Sequence, residues 1–153
     1  RLVFMSAAGV LPPTENEFTR LSLQGKSPFA IYEADAYIDF MKHYVFTDMQ
    51  YMPKPMLASI VKRRALHKDF EKTVFTQMLQ FSQAYTLQRR LPEIRQPAGL
   101  LWCDGDKIVD PSAEMVFAKG LKDSNAELLK GCGHMPMMEQ PKQTVGFLLK
   151  QFQ

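Results

Sequence analysis

The stretch Ala98-Gly99-Leu100-Leu101-Trp102-Cys103-Asp104-Gly105-Asp106 is an apolar run that ends abruptly in an acidic loop. A short continuous apolar run bounded by turn residues reads as a strand buried on both faces, as in a parallel sheet. Next comes Asp110-Pro111, an N-cap followed by proline at the first helical position, and the helix it opens runs to about Gly120. Asn125 to Lys130 reads as a further strand. It ends in the tight loop Gly131-Cys132-Gly133-His134. Gln140-Pro141 opens a last helix, with Val145, Leu148, Leu149 and Phe152 predicted to face the core.

Upstream, Leu2-Val3-Phe4-Met5-Ser6 is another short apolar run, ended by Ala7-Ala8-Gly9. Pro12-Pro13 breaks the chain. Thr14-Glu15-Asn16-Glu17 has the T-x-x-E pattern of a capping box, so a helix begins there, with Phe18 and Leu21 on one face and Gly25 as its stop. From Glu33 to Phe46 the residues Tyr37, Phe40, Met41, Tyr44 and Val45 follow helical spacing. After Pro53 and Pro55 a helix over Met56 to Leu66 places Met56, Leu57, Ile60 and Val61 inward. A further helix over Asp69 to Leu87 aligns Val74, Met78, Phe81 and Tyr85. The chain therefore divides into a core strand and exit loop (1–11), an all-helical insert (12–90) and a strand–helix–strand–helix part (91–153). Such alternation implies a parallel sheet.

In sheets of that kind ligands bind beyond the carboxyl ends of the strands. Asp106 and His134 both follow such an end and project to one rim. Their separation of 28 residues leaves room for one strand–helix–strand passage between neighbouring strands. Singly, each has a plain reading, a loop aspartate capping a helix and a histidine satisfied by backbone. Together they form a couple in which the carboxylate fixes the imidazole's tautomer, so that its other nitrogen can act as a base toward a hydroxyl. Hydrogen-bond reach between them, ~2.6–3.2 Å, is the expected geometry.

Leu101-Trp102-Cys103-Asp104-Gly105-Asp106-Lys107-Ile108-Val109-Asp110 is similar to the W-G-x-x-D-x-[IV]-[VL] stretch of α/β-hydrolases. Cys132-Gly133-His134-Met135-Pro136, with Glu139-Gln140-Pro141, resembles the G-H-x-x-x-x-E-x-P stretch that bears that superfamily's histidine. Essentially the whole chain resembles bacterial lipases and esterases related to monoacylglycerol lipases. The resemblance implies an α/β fold, the C-terminal part of an α/β-hydrolase parallel sheet with an inserted all-helical cap. It implies Asp106 as triad acid and His134 as general base, Asp104 as a neighbouring acidic position outside the triad, and Cys103 where the family usually has glycine. The family also needs a nucleophile on a Gly-x-Ser-x-Gly elbow. The chain has none. Gly25-Lys26-Ser27-Pro28-Phe29 is half a match with no strand before it, so the serine is expected upstream, in an N-terminal half of the same protein.

The activity so implied is hydrolysis of carboxylic esters, with a monoacylglycerol or another acyl ester as substrate and no cofactor or metal. Alternatives are epoxide, haloalkane or carbon–carbon bond hydrolysis on the same scaffold, or an inert fragment that needs its N-terminal half. Phe29, Phe46, Met49, Tyr51, Met52 and Met56 of the insert, and Met135 with Met137-Met138 after the histidine, are candidates to line an acyl pocket, because methionine adapts to irregular ligands. Ordinary core packing is the competing reading. His43 and His67 lie on polar stretches and read as surface residues.

A net charge of +3 with 23% charged residues carries no basic stripe of the kind that binds nucleic acid. Lys62-Arg63-Arg64 reads as a solvated helix face, with weak attraction to anionic lipid as the lesser reading and peripheral membrane contact as its consequence. No apolar run reaches the ~18–20 residues of a membrane span. The resemblance places the protein in a bacterium, and the compartment stays open between cytoplasm and membrane surface. Cys103 and Cys132 do not amount to a disulfide framework and lack the neighbours of a metal site, so free, partly buried thiols are expected.

Overall fold

The computed structural model describes residues 1–49, 51–80 and 87–152. Its sheet has three parallel strands among the described residues, β1 (Leu2–Met5), β2 (Ala98–Cys103) and β3 (Ser124–Leu129), ordered β1-β2-β3. Leu2 pairs with Ala98 and Met5 with Leu101; Ala98 pairs with Ser124 and Cys103 with Leu129. Between β1 and β2 lie α1 (Glu17–Leu23), α2 (Ala34–Phe40), a π-helical turn (Met41–Val45), α3 (Lys54–Leu66), α4 (Lys68–Gln80), α5 (Leu87–Arg90) and a 3-10 turn (Leu91–Glu93). Helix α6 (Ser112–Gly120) joins β2 to β3, and α7 (Pro136–Glu139) and α8 (Pro141–Gln151) close the chain.

Every residue of the central strand β2 is buried, as its unbroken apolar run predicts. Leu100 and Trp102 pack against Val109, Ala113 and Phe117 on the α6 side. Leu101 and Cys103 pack against Leu129, Cys132 and Phe147 on the α8 side. Burial of a large apolar side chain contributes ~1.5–3 kcal/mol, so this strand anchors the core on both faces. Helix α6 starts one residue later than its sequence predicts, at Ser112, whose N–H is accepted by Asp110 Oδ1 at 2.9 Å.

Helix α8 is rotated from the expected phase. Of the four residues expected inward, Val145, Leu149 and Phe152 are exposed and Leu148 is half-buried, while Thr144, Phe147 and Gln151 are buried. The most apolar stripe is not the one the sheet selects. Phe147 fits the cluster around Leu101 and Cys132. Gly99 lets the helix come so close that a Cβ there would lie 2.7 Å from the Gln151 side chain.

The insert also departs from its sequence reading. Asn16, not Thr14, caps α1: its side chain accepts from the Thr19 N–H at 2.8 Å. Thr14 instead donates its backbone N–H to Ser112 Oγ at 3.1 Å. The helix predicted over Glu33 to Phe46 is α2 followed by the π turn. Met56 is exposed, and so are Val74 and Met78, while Leu57, Ile60 and Val61 are half-buried. Phe81 and Tyr85 lie outside the described residues. Arg64 does not belong to a solvated face. It is half-buried, donating to the Ile31 carbonyl at 3.1 Å and pairing with Glu71 at 3.0 Å. Aromatic rings of the insert gather around Phe18, which is buried, while Phe29 is exposed. Phe18 meets Phe29 edge-on at 5.0 Å and Tyr44 at 5.6 Å, and Phe40 stands 5.8 Å from Phe29.

Candidate active site

The loop after β2 turns sharply onto the loop after β3. The Asp104 N–H donates to the Leu129 carbonyl at 2.9 Å and the Gly105 N–H to the Cys132 carbonyl at 3.0 Å. A Cβ on Gly105 would stand 2.9 Å from that same carbonyl, so glycine is required by close approach. Asp104 Oδ1 accepts from the Gly131 N–H at 2.8 Å, where Gly131 has φ +71°. Asp104 thus laces the two loops together.

Asp106 and His134 meet at this junction. His134 Nδ1 lies 3.0 Å from Asp106 Oδ2 and 3.1 Å from Oδ1. The Asp106 side chain is fully buried and the His134 side chain is 24% exposed. A buried carboxylate needs compensation, and Asp106 has it. Its Oδ1 accepts from the backbone N–H groups of Ile108 and Val109, each at 3.0 Å. These two bonds fix the carboxylate before the histidine is considered. With Nδ1 engaged, Nε2 has no partner among the described residues, and it sits on the partly exposed side chain. With Nδ1 held by the carboxylate, Nε2 is the ring nitrogen left for another partner.

Cys103 and Cys132 form a disulfide with Cα atoms 5.2 Å apart. The expectation of free thiols is wrong. Cys103 precedes Asp106 by three residues and Cys132 precedes His134 by two, so the meeting of the carboxylate and the imidazole places the cysteines in neighbouring stretches of chain. That spacing was the available signal. Both cysteines are wholly buried.

The insert touches both loops. Asn16 Nδ2 donates to the Lys107 carbonyl at 3.0 Å, beside Asp106. At the end of the π turn the Val45 carbonyl accepts from the His134 N–H at 2.8 Å. Glu139 accepts from Thr47, Asp48 and Gly133 backbone N–H groups. The sequence contains all these residues in plain view, but their partners are far along the chain and no local pattern announces them.

Of the candidate pocket residues, Phe46 directly follows Val45 and Met135 directly follows His134 in the chain; both are half-buried. Met49 and Met52 are half-buried just beyond, and Tyr51 is exposed. Phe29 belongs to the insert's aromatic cluster. A shallow hollow in the insert, lined by Leu21, Ile31, Phe40, His43 and Tyr44 among others, takes in neither Asp106 nor His134. His43 is a surface residue, paired with Glu17 at 3.2 Å. Among the described residues no cluster of side chains has the make-up of a metal site, and no helix is long and apolar enough to cross a membrane.

No family model matches the chain. Its structure superimposes on that of a membrane phospholipase A, described as a bacterial virulence factor, with a TM-score of 0.85 and 28% identity over 96% of this chain and 48% of that one. The chain has the fold of the C-terminal part of an α/β-hydrolase. The α/β-hydrolase segment is 30% identical over 98 residues to the monoacylglycerol lipase ABHD6 of Bos taurus, covering 64% of the segment and 29% of that protein. It is 25% identical over 150 residues to the monoacylglycerol lipase abhd6-B of Xenopus laevis, covering 94% of the segment and 44% of that protein. The segment therefore spans less than half the length of these curated relatives, and matches the C-terminal part of the fold.

Proposed function

We propose that this α/β-hydrolase segment supplies the acid and the base of a serine ester hydrolase. Asp106 orients His134, and His134 deprotonates a serine carried upstream in the same protein. The serine oxygen attacks the ester carbonyl, the alcohol leaves with the proton held by His134, and water then hydrolyses the acyl-enzyme by the same base. No cofactor or metal is needed for this chemistry. The observation that carries the reading is the bidentate approach of a buried, doubly anchored carboxylate to the imidazole Nδ1.

The proposed substrate is a monoacylglycerol or another medium or long acyl ester, in line with the segment's similarity to monoacylglycerol lipases. The helical insert serves as a cap over the site, with Phe46, Met49, Met52 and Met135 toward the acyl chain and Phe29 in the cap's aromatic cluster. Exposed Leu66, Phe70 and Met78 on α3 and α4, near Lys62 and Lys68, favour peripheral contact with an anionic membrane surface. The buried disulfide favours maturation in an oxidising compartment over the cytoplasm.

The test is hydrolysis of p-nitrophenyl esters of graded chain length by the complete protein and by its His134→Ala variant. Cleavage by the first and none by the second, with equal melting temperatures, supports the reading. Turnover retained by His134→Ala removes His134 as the base. Asp in place of Ser at the upstream elbow would redirect the chemistry to epoxides or haloalkanes.

A further inference from the structure

Glu139 joins the insert to the histidine loop beside the direct Val45–His134 backbone bond. Its Oε1 accepts from the Thr47 N–H at 2.8 Å and from the Asp48 N–H at 3.1 Å. Its Oε2 accepts from the Gly133 N–H at 2.6 Å. One carboxylate thus satisfies three backbone donors that belong to two separate parts of the chain. Charge-assisted bonds of this kind are about twice as strong as neutral ones. The contact is also close-packed. A Cβ on Gly133 would stand 2.5 Å from the Val45 carbonyl oxygen, 3.1 Å from Glu139 Oε2 and 3.2 Å from the Thr47 nitrogen. The next residue, His134, donates its own N–H to Val45. The π turn delivers these groups. It ends at Val45, and Thr47 and Asp48, whose N–H groups reach Glu139, follow within three residues.

We propose that Glu139 is a positioning residue: its carboxylate fastens the exit of the helical insert to the turn that presents His134, so that the seating of the cap sets the placement of the imidazole. This rests on the hydrolase reading for its effect on turnover, but not for its effect on the imidazole. Glutamine at position 139 has one acceptor oxygen and one N–H₂ donor. It can serve Thr47 and Asp48 or it can serve Gly133, and the unserved side faces a donor. Aspartate keeps both acceptors on a shorter stem.

The experiment compares the complete protein with Glu139→Gln, Glu139→Asp and His134→Ala. It reads kcat and KM on a p-nitrophenyl ester, the melting temperature, and the NMR signal of the His134 Nδ1 proton held by Asp106. The expected result for Glu139→Gln is a fall in kcat of about 10²-fold, the order set by an ångström-scale misplacement. KM should hold and the Nδ1 proton signal should shift or vanish, with Glu139→Asp recovering part of both. If Glu139→Gln lowers only the melting temperature, and kcat and the proton signal stay as in the wild type, Glu139 is a structural brace and the inference is overturned. If Glu139→Gln does not fold, Glu139→Asp decides by the same readouts. If the wild type itself hydrolyses no ester, the functional reading fails. The proton signal still decides the positioning role: loss in Glu139→Gln upholds it and an unchanged signal ends it.

Discussion

Cys103 and Cys132 are bonded to each other, so the last residue of β2 is covalently tied to the turn that holds His134. The bond closes a loop with a sequence separation of 29, and on the chain-entropy account a loop of that size stabilises the native state by about 3–4 kcal/mol. The complete protein, denatured without reductant, should leave these two cysteines unreactive toward a thiol reagent, and both should react after reduction. Replacing both by serine should lower stability in urea by the stated amount. Reactive thiols at these positions before reduction would contradict the bond.

Gly120 closes α6 against Leu91. A Cβ at Gly120 would stand 2.7 Å from Leu91 Cδ1 and 2.8 Å from Leu91 Cβ, and Leu91 is completely buried. Two effects oppose each other in Gly120→Ala. Helix propensity favours alanine by about 1 kcal/mol. Overpacking costs about 1–3 kcal/mol. The second should win, because the clash includes a Cβ that no rotamer change can move. Urea melts should show Gly120→Ala destabilised, and less of a loss when it is combined with Leu91→Ala than the two single losses added together. A neutral Gly120→Ala would mean that Leu91 has room to give.

The Glu17–His43 contact ties α1 to the π turn at 3.2 Å. Hydrogen bonds from His43 first, and then from Tyr44, hold the Glu17 carboxyl below its ordinary value. A carboxyl whose folded value lies below its unfolded one, about 4.3, stabilises the fold above that unfolded value. The contribution is lost as pH falls through the folded value. Wild type should therefore exceed Glu17→Gln in urea midpoint at about pH 6, and the gap should narrow as pH falls below the unfolded value. The gap should be small, since the pair is open to solvent. A gap that widens toward acid would reverse the assigned direction.

The core strands and the meeting of Asp106 with His134 were legible because each rests on local information. An apolar run bounded by turns marks a buried strand, and residues just past two parallel strands share one rim. The phase of α8 was not legible. Val145, Leu149 and Phe152 make the better apolar stripe, yet Gly99 on the neighbouring strand decides which face can approach. The same holds for Glu139, Asn16 and Arg64, whose partners lie across the fold. The disulfide was inferable from the Asp106–His134 pairing, since Cys103 and Cys132 stand at nearly matching offsets from those two residues. Composition alone argued against it.

Asp106 is bonded on two sides, and this allows its two jobs to be separated. Ile108 and Val109 donate to Oδ1, and His134 Nδ1 approaches both oxygens. In Asp106→Asn the remaining oxygen can keep the two backbone bonds, so the loop should hold its shape. The new N–H₂ group would then face Nδ1 as a donor. His134 would have to accept there, placing its proton on Nε2, the nitrogen that must be free to act as a base. The expected result in the complete protein is a loss in kcat of about 10⁴-fold, the order found for the same tautomer change in a serine protease triad, with the melting temperature nearly unchanged. A rate within about tenfold of wild type would show that His134 does not depend on Asp106 for its tautomer. A collapse of the fold would show instead that the carboxylate's charge is needed by Ile108 and Val109.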